Sequence, residues 1–282
     1  MIVFFTRSTQ HLSSMLPLER GHYRAQQFSD GEWYVKLAHD VSGKTVWVVA
    51  ATPAPAEHLI ELWLLLDALQ RAGAQIKILF TYFGYARHDQ PKNGEASSAQ
   101  VIARIFTLFD LKKVIILHPH SAFLHEYLNF QAVFPDERIC AHAHAYDALC
   151  APDQGAHELV HRLGTLCNKE AIFFNKIRPQ QELVKILEYD GIVRAKKILI
   201  IDDMIATGNT IIEVVKMLQQ QGATHVSVWA THGIFSADAI CKIEASDIKK
   251  VYVTDSLAQN KISDKIEVVS IAPLIEKVIK TH

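Results

Sequence analysis

The feature that most constrains this chain is a repeated grammar: a short β-branched, apolar run, then a stretch with apolar residues at helical spacing. Val46-Trp47-Val48-Val49-Ala50 reads as a buried strand, and Pro53 and Pro55 punctuate its exit. Over residues 57–72, Leu59, Leu62, Leu65, Leu66 and Leu69 share one helical face before Gly73 stops the helix. Ile76–Phe80 is a second strand and Val114–Leu117 a third. Between them, residues 97–109 predict a helix with Val101, Ile102, Ile105 and Leu108 facing inward. The grammar returns with a strand at Ile198–Ile201, a helix over 210–220 ended by Gly222, and strands at Val226–Ala230, Val251–Thr254 and Val268–Ile271. Strands alternating with helices require right-handed crossovers and mostly parallel sheets. A His/Cys-rich stretch near residues 135–152 separates the two series. Two α/β domains are therefore expected, residues 1–138 and 139–282, with the last helix packing back on the first.

Composition narrows the function classes. A chain of 282 residues, 49% hydrophobic, supports two real cores. Its formal net charge of -1 argues against a nucleic-acid partner, which would select a basic stripe. The longest apolar stretch, Leu59–Leu69, is interrupted by Glu61 and Asp67, so no membrane association is expected. The opening MIVFFTRSTQ lacks a basic leader and meets Arg7 early, so it is not read as a signal peptide. The four cysteines, Cys140, Cys150, Cys167 and Cys241, form no CxxC pair. They are read as reduced thiols of a cytoplasmic protein.

The most informative segment runs Ile198-Leu199-Ile200-Ile201-Asp202-Asp203-Met204-Ile205-Ala206-Thr207-Gly208-Asn209-Thr210. Two carboxylates emerge at the C-terminal end of a buried strand, where open α/β sheets bind ligands. The Thr/Gly/Asn/Thr loop then opens a helix whose first N–H groups, with the hydroxyls of Thr207 and Thr210, suit a phosphate. The carboxylates suit vicinal hydroxyls such as those of ribose. Asp-Asp alone would be an ordinary acidic turn; the whole string is far more specific.

This string resembles the phosphoribosyl-diphosphate loop shared by type I phosphoribosyltransferases and ribose-phosphate diphosphokinases. Other segments resemble the second family. Phe28-Ser29-Asp30-Gly31-Glu32 looks like its FxDGE element, and Tyr82-Phe83-Gly84-Tyr85-Ala86-Arg87-His88-Asp89 is similar to its YFGYARQD segment. Pro152-Asp153-Gln154-Gly155-Ala156 matches its PDxGx turn, and His118-Pro119-His120 occupies its DLH position, with His118 in place of aspartate. Thr231-His232-Gly233, Thr254-Asp255 and Ala272-Pro273-Leu274 match its later landmarks, so the likeness runs in order from about residue 4 to residue 275. In Asn175-Lys176-Ile177-Arg178-Pro179 the Lys-x-Arg pair matches the family's mobile flag, in the form that its archaeal members carry. Taken alone, Lys176 and Arg178 would be a solvated surface pair. On an extended loop, though, cations two residues apart point the same way and can meet developing charge together.

The resemblance implies two phosphoribosyltransferase-like domains, each a mostly parallel sheet flanked by helices. It implies ATP and ribose 5-phosphate as substrates and Mg2+ as cofactor. By position, Phe28, Asp30, Gly31, Glu32, Arg87 and His88 would bind ATP. Asp202, Asp203, Ala206, Thr207, Gly208, Asn209, Thr210 and Arg178 would bind ribose 5-phosphate, and His120 and Asp153 would serve the metal. Lys176 and Arg178 would stabilise the transition state. A dimer-based homo-oligomer, up to a hexamer, would place Phe28–Glu32 at a subunit contact. Ala206 stands where many members have aspartate, and Gln90–Glu95 is shorter and less basic than the usual stretch. Two rivals share part of the pattern. An ordinary phosphoribosyltransferase would use a nucleobase, and a silent paralogue would act as a regulatory subunit. His142 and His144, near His118 and His120, have strand-like metal spacing, but no cysteine spacing supports zinc.

Overall fold

The structure is a computed structural model that describes residues 1–177, 186–259 and 263–282. The chain opens with β1 (Ile2–Phe5), β2 (Glu19–Arg20), β3 (Tyr23–Gln27), β4 (Trp33–Leu37) and β5 (Thr45–Ala51). It continues through α1 (Glu57–Arg71), β6 (Gln75–Tyr82), α2 (Ser98–Phe106), β7 (Leu111–Leu117) and β8 (Gln131–Val133). Next come α3 (Asp136–Ala143), β9 (Ala148–Ala151), α4 (His157–Cys167), β10 (Glu170–Ile177) and β11 (Ile186–Asp190). Then follow β12 (Lys197–Ile205), α5 (Asn209–Gln220), β13 (His225–Gly233), α6 (Ala239–Ala245), β14 (Val251–Thr254), β15 (Ile266–Val269) and α7 (Ala272–Thr281). Two compact units result. One comprises Met1–Phe134, Ser256–Ala258 and Ile271–His282, the other Pro135–Asp255 and Gln259–Ser270.

The first unit holds a parallel sheet in the order β2-β1-β5-β6-β7-β8 and a separate antiparallel ribbon of β3 and β4. Strand β5 shows why its sequence is apolar from Val46 to Ala51. Val46, Val48 and Ala50 join the core with Leu59, Leu62 and Leu66 of α1, while Trp47 and Val49 join Ile275 and Ile279 of α7 on the other face. The second unit has the order β11-β10-β9-β12-β13-β14-β15, parallel except for the β10–β11 hairpin. Each unit is α/β as expected, and no helix among the described residues is long and apolar enough to cross a membrane.

Three local expectations change. In α2 the inward residues are Ala99, Ile102, Ala103 and Phe106, whereas Val101 is 53% and Leu108 76% exposed. The Ser97 hydroxyl accepts from the Gln100 N–H and sets the helix start. The two alanines then let Phe106 reach Phe80 edge-on, with ring centroids 5.0 Å apart. Strand β12 continues through both aspartates to Ile205, because β13 pairs with it along that length. The last strand, expected at Val268–Ile271, is Ile266–Val269, and Ile271 turns inward beside α7.

The reading of four reduced thiols is corrected: Cys140 and Cys167 form a disulfide with Cα atoms 5.4 Å apart. The cross-link joins α3 to α4, which also share an Arg162–Asp136 ion pair. Helix packing brings the cysteines together, so no short spacing signals the bond. Cys150 and Cys241 are free, and burial pushes the Cys150 thiol up. Denatured without reductant, the chain should therefore titrate as two thiols. Closing a loop across a separation of 27 residues stabilises by about 3–4 kcal/mol in the chain-entropy account, so reduction should lower the denaturant midpoint. Four thiols and an unmoved midpoint would refute the cross-link.

Candidate active site

The chemistry-bearing residues of the second unit gather at one sheet edge. Neighbouring strands β9 and β12 both point their C-terminal ends there. Asp153 follows β9 and caps a short turn, its Oδ1 accepting from the Gly155 N–H at 3.1 Å. Asp202 and Asp203 lie in β12, and the Asp203 N–H donates to Asp202 Oδ1 at 2.9 Å. Burial pushes the Asp202 carboxyl well above the usual carboxylate range, and the charges of Asp203 and Asp153 push it further. Three carboxylates share one small region. That accumulation of negative charge is what a divalent cation or sugar hydroxyls would relieve. The acid cluster offers oxygen donors alone, the donor type that Mg2+ accepts alongside water and substrate oxygens. His142 instead packs against Trp229 and Tyr252, at 5.1 and 4.6 Å between ring centroids.

From Asp203 the chain passes through Ala206 and Thr207 to Gly208, which caps α5 at φ +75°. That conformation, not lack of space, demands glycine: an added Cβ would meet nothing closer than 3.8 Å. Gly208 carries no side chain that could cap α5, and the first N–H groups and positive dipole end of that helix suit an anion. The segment after β13 braces the loop, because Ile234 and Ser236 donate backbone N–H bonds to the carbonyls of Ile205 and Ala206, both at 3.0 Å. Lys242 Nζ donates to Asn209 Oδ1 at 2.9 Å. Sequence reasoning did not identify Lys242, and nothing in its local spacing marks it.

Lys176 lies on β10 and pairs with Leu187 of β11, so its segment is a strand of a hairpin and not an open loop. Pairing of β10 with β9 ends at Phe173, and beyond it only β11 accompanies β10. The described part of β10 thus continues from Phe174 to Ile177 beyond its pairing with β9. Arg178 lies outside the described residues.

The first unit carries the other candidates. After β6 the chain turns tightly at Gly84, whose N–H donates to Thr52 Oγ1 at 2.8 Å. A Cβ at Gly84 would overlap the Thr52 carbonyl oxygen, which makes this glycine obligatory. The turn presents exposed Arg87 and exposed His88, and His88 Nε2 lies 3.5 Å from Glu95 Oε2. His120 is exposed just beyond β7, while His118 is buried against Phe134. Phe28–Glu32 forms the turn of the β3–β4 ribbon, with Gly31 at φ +94° and Phe28 50% exposed.

An acid pair in a central parallel strand, feeding a glycine-capped helix start, is an arrangement that suits a phosphate in an α/β protein. Comparison with known proteins makes the class specific. Residues 4–109 match the N-terminal domain of ribose phosphate pyrophosphokinase, and residues 169–282 match the phosphoribosyl synthetase-associated domain. A ribose-phosphate pyrophosphokinase of Chromobacterium violaceum is 31% identical, over 96% of this chain and 87% of that one. One from Chlorobaculum tepidum is 30% identical, over 91% and 83%. The crystal structure of phosphoribosylpyrophosphate synthetase from Mycobacterium smegmatis shares the fold, with TM-score 0.90, 24% identity, and coverage of 99% and 97%. The chain belongs to the ribose-phosphate pyrophosphokinase family and is an enzyme of the transferase class.

Proposed function

We propose that the chain transfers the diphosphoryl group of MgATP to the 1-hydroxyl of ribose 5-phosphate. The observation that carries this reading is the acid cluster of Asp153, Asp202 and Asp203 leading into the Gly208-capped helix, on a chain of this family. The sugar hydroxyl oxygen bonds to the β-phosphorus, and the bond from that phosphorus to the α,β-bridging oxygen breaks. AMP leaves, and the hydroxyl proton passes to solvent. Alignment and charge stabilisation suffice, with no covalent enzyme intermediate.

Asp202 and Asp203 hold the ribose hydroxyls, and residues 206–210 hold the 5-phosphate through the helix start. Phe28, Asp30, Gly31, Glu32, Arg87 and His88 form the ATP subsite. Lys176 and Arg178 meet the charge that builds on the transferring group. By position in the family, His120 and Asp153 would each serve magnesium, which when bound neutralises polyphosphate charge. The assembly is a homo-oligomer of dimers, with Phe28–Glu32 at a contact between subunits. As a metabolic enzyme of this family, it acts in the cytoplasm.

Protein mixed with ATP, ribose 5-phosphate and magnesium, and no nucleobase, should release AMP. A phosphoribosyltransferase would be idle in that mixture, as would a silent regulatory subunit. No AMP above a protein-free control refutes the reading.

A further inference from the structure

The first unit buries one carboxylate that this reaction scheme does not use. Glu61 of α1 has 0% of its surface exposed. Its Oε1 accepts from the Arg7 backbone N–H at 3.2 Å and from the Tyr23 hydroxyl at 2.7 Å. Its Oε2 accepts from Arg7 Nε at 3.2 Å. Both partners lead to the β3–β4 ribbon. Tyr23 is the first residue of β3, and the Arg7 guanidinium lies 4.0 Å over the ring of Trp33, the first residue of β4. Register pairs Tyr23 with Leu37 at the open end and Gln27 with Trp33 beside the turn, so the carboxylate grips the ribbon at both ends.

A two-stranded ribbon is marginally stable by itself and free to pivot. The turn it carries is held internally: Phe28 N–H donates to the Glu32 carbonyl at 2.8 Å, and Glu32 N–H to Asp30 Oδ1 at 3.1 Å. Around Gly31 there is open space. The pose of Phe28–Glu32 is therefore set by how the ribbon docks on α1. An apolar contact would dock it as strongly, since buried ion pairs rarely add net stability. What directed hydrogen bonds and a cation stacked on a ring add is one defined orientation.

We infer that Glu61, acting through Arg7 and Tyr23, is a positioning residue for the nucleotide subsite. It fixes the angle at which Phe28–Glu32 is offered to the adenine ring and touches no part of the nucleotide. This rests on the reading of that turn as the adenine contact. The test compares Glu61→Gln, Arg7→Lys and Phe28→Ala in the full chain. Amide hydrogen exchange reports on residues 23–37, calorimetric titration on ATP affinity without turnover, and steady-state rates on catalysis.

Glu61→Gln and Arg7→Lys should speed exchange in residues 23–37 and leave the second unit's amides unchanged. ATP affinity should weaken about tenfold, with ribose 5-phosphate KM and kcat within about twofold. If Glu61→Gln does not fold, Arg7→Lys alone decides, because it keeps the Arg7 backbone bond and loses only the stacked fork. Unchanged exchange, or faster exchange with unaltered ATP affinity, overturns the inference. Phe28→Ala then separates the causes: weaker ATP binding in that variant means the clamp has failed, and normal binding means the turn is not the adenine contact.

Discussion

Replacing Lys176 with alanine is expected to lower turnover about 10²- to 10³-fold, the usual loss for one well-placed cation in a transition state. Its backbone lies on the part of β10 that has passed the end of β9, and only the hairpin partner β11 accompanies it. Asp153 follows the neighbouring strand β9, and Asp202 lies on β12, which pairs with β9. A group that acts only as charge builds should appear in kcat far more than in binding. Ribose 5-phosphate affinity should barely move, because residues 206–210 hold the 5-phosphate. Arginine at position 176 should rescue in part, since a planar fork does not reproduce a compact ammonium. Combining Lys176→Ala with Arg178→Ala should cost less than the product of the single losses if the two cations act as a unit. Rates of AMP release from Lys176→Ala, Lys176→Arg, Arg178→Ala and the double variant decide this. Near-normal turnover in Lys176→Ala would reduce the hairpin to a structural element.

Asp202→Asn should trade activity for stability. The carboxyl is raised well above its ordinary range by burial, and then by Asp203 and Asp153. A carboxyl raised in the folded state contributes fully below its unfolded pKa, and that contribution is lost as pH rises through the folded value. At neutral pH the substrate-free enzyme therefore carries a cost that asparagine removes. The variant should melt at a higher temperature at pH 7, and the gap should close toward pH 4. Magnesium should raise the wild-type Tm more than the variant's. Turnover should fall about 10²-fold, as a hydrogen-bonded anchor for the ribose is lost. Scanning calorimetry at both pH values checks the sign. Equal melting temperatures at pH 7 would mean that the acid cluster carries no stored repulsion.

The sequence made the architecture legible because the sheets are buried on both faces. A strand such as β5 must be apolar at every position from Val46 to Ala51, and α1 must repeat leucine along one stripe, so both patterns stand out. The acid pair and the Gly208 turn were equally legible, since a positive φ and a helix start impose residue types locally. What stayed hidden depends on contacts distant in sequence. The Cys140–Cys167 bond needs α3 beside α4, and Lys242 reaches Asn209 across a fold. Helix α2 misled because its buried face uses alanine where the pattern favoured the larger Val101 and Leu108. Glu61 looked like a polar break in a leucine-rich helix, yet it is among the most buried residues of the first unit.

The most direct test of the central claim follows the fate of the two terminal phosphorus atoms of ATP. With ribose 5-phosphate and magnesium present, phosphorus NMR should show the β and γ atoms leaving ATP together and reappearing as one diphosphate on carbon 1 of the sugar. AMP should form in equal amount. ADP formed with a sugar monophosphate, or inorganic phosphate released without an ester at carbon 1, would contradict the assignment.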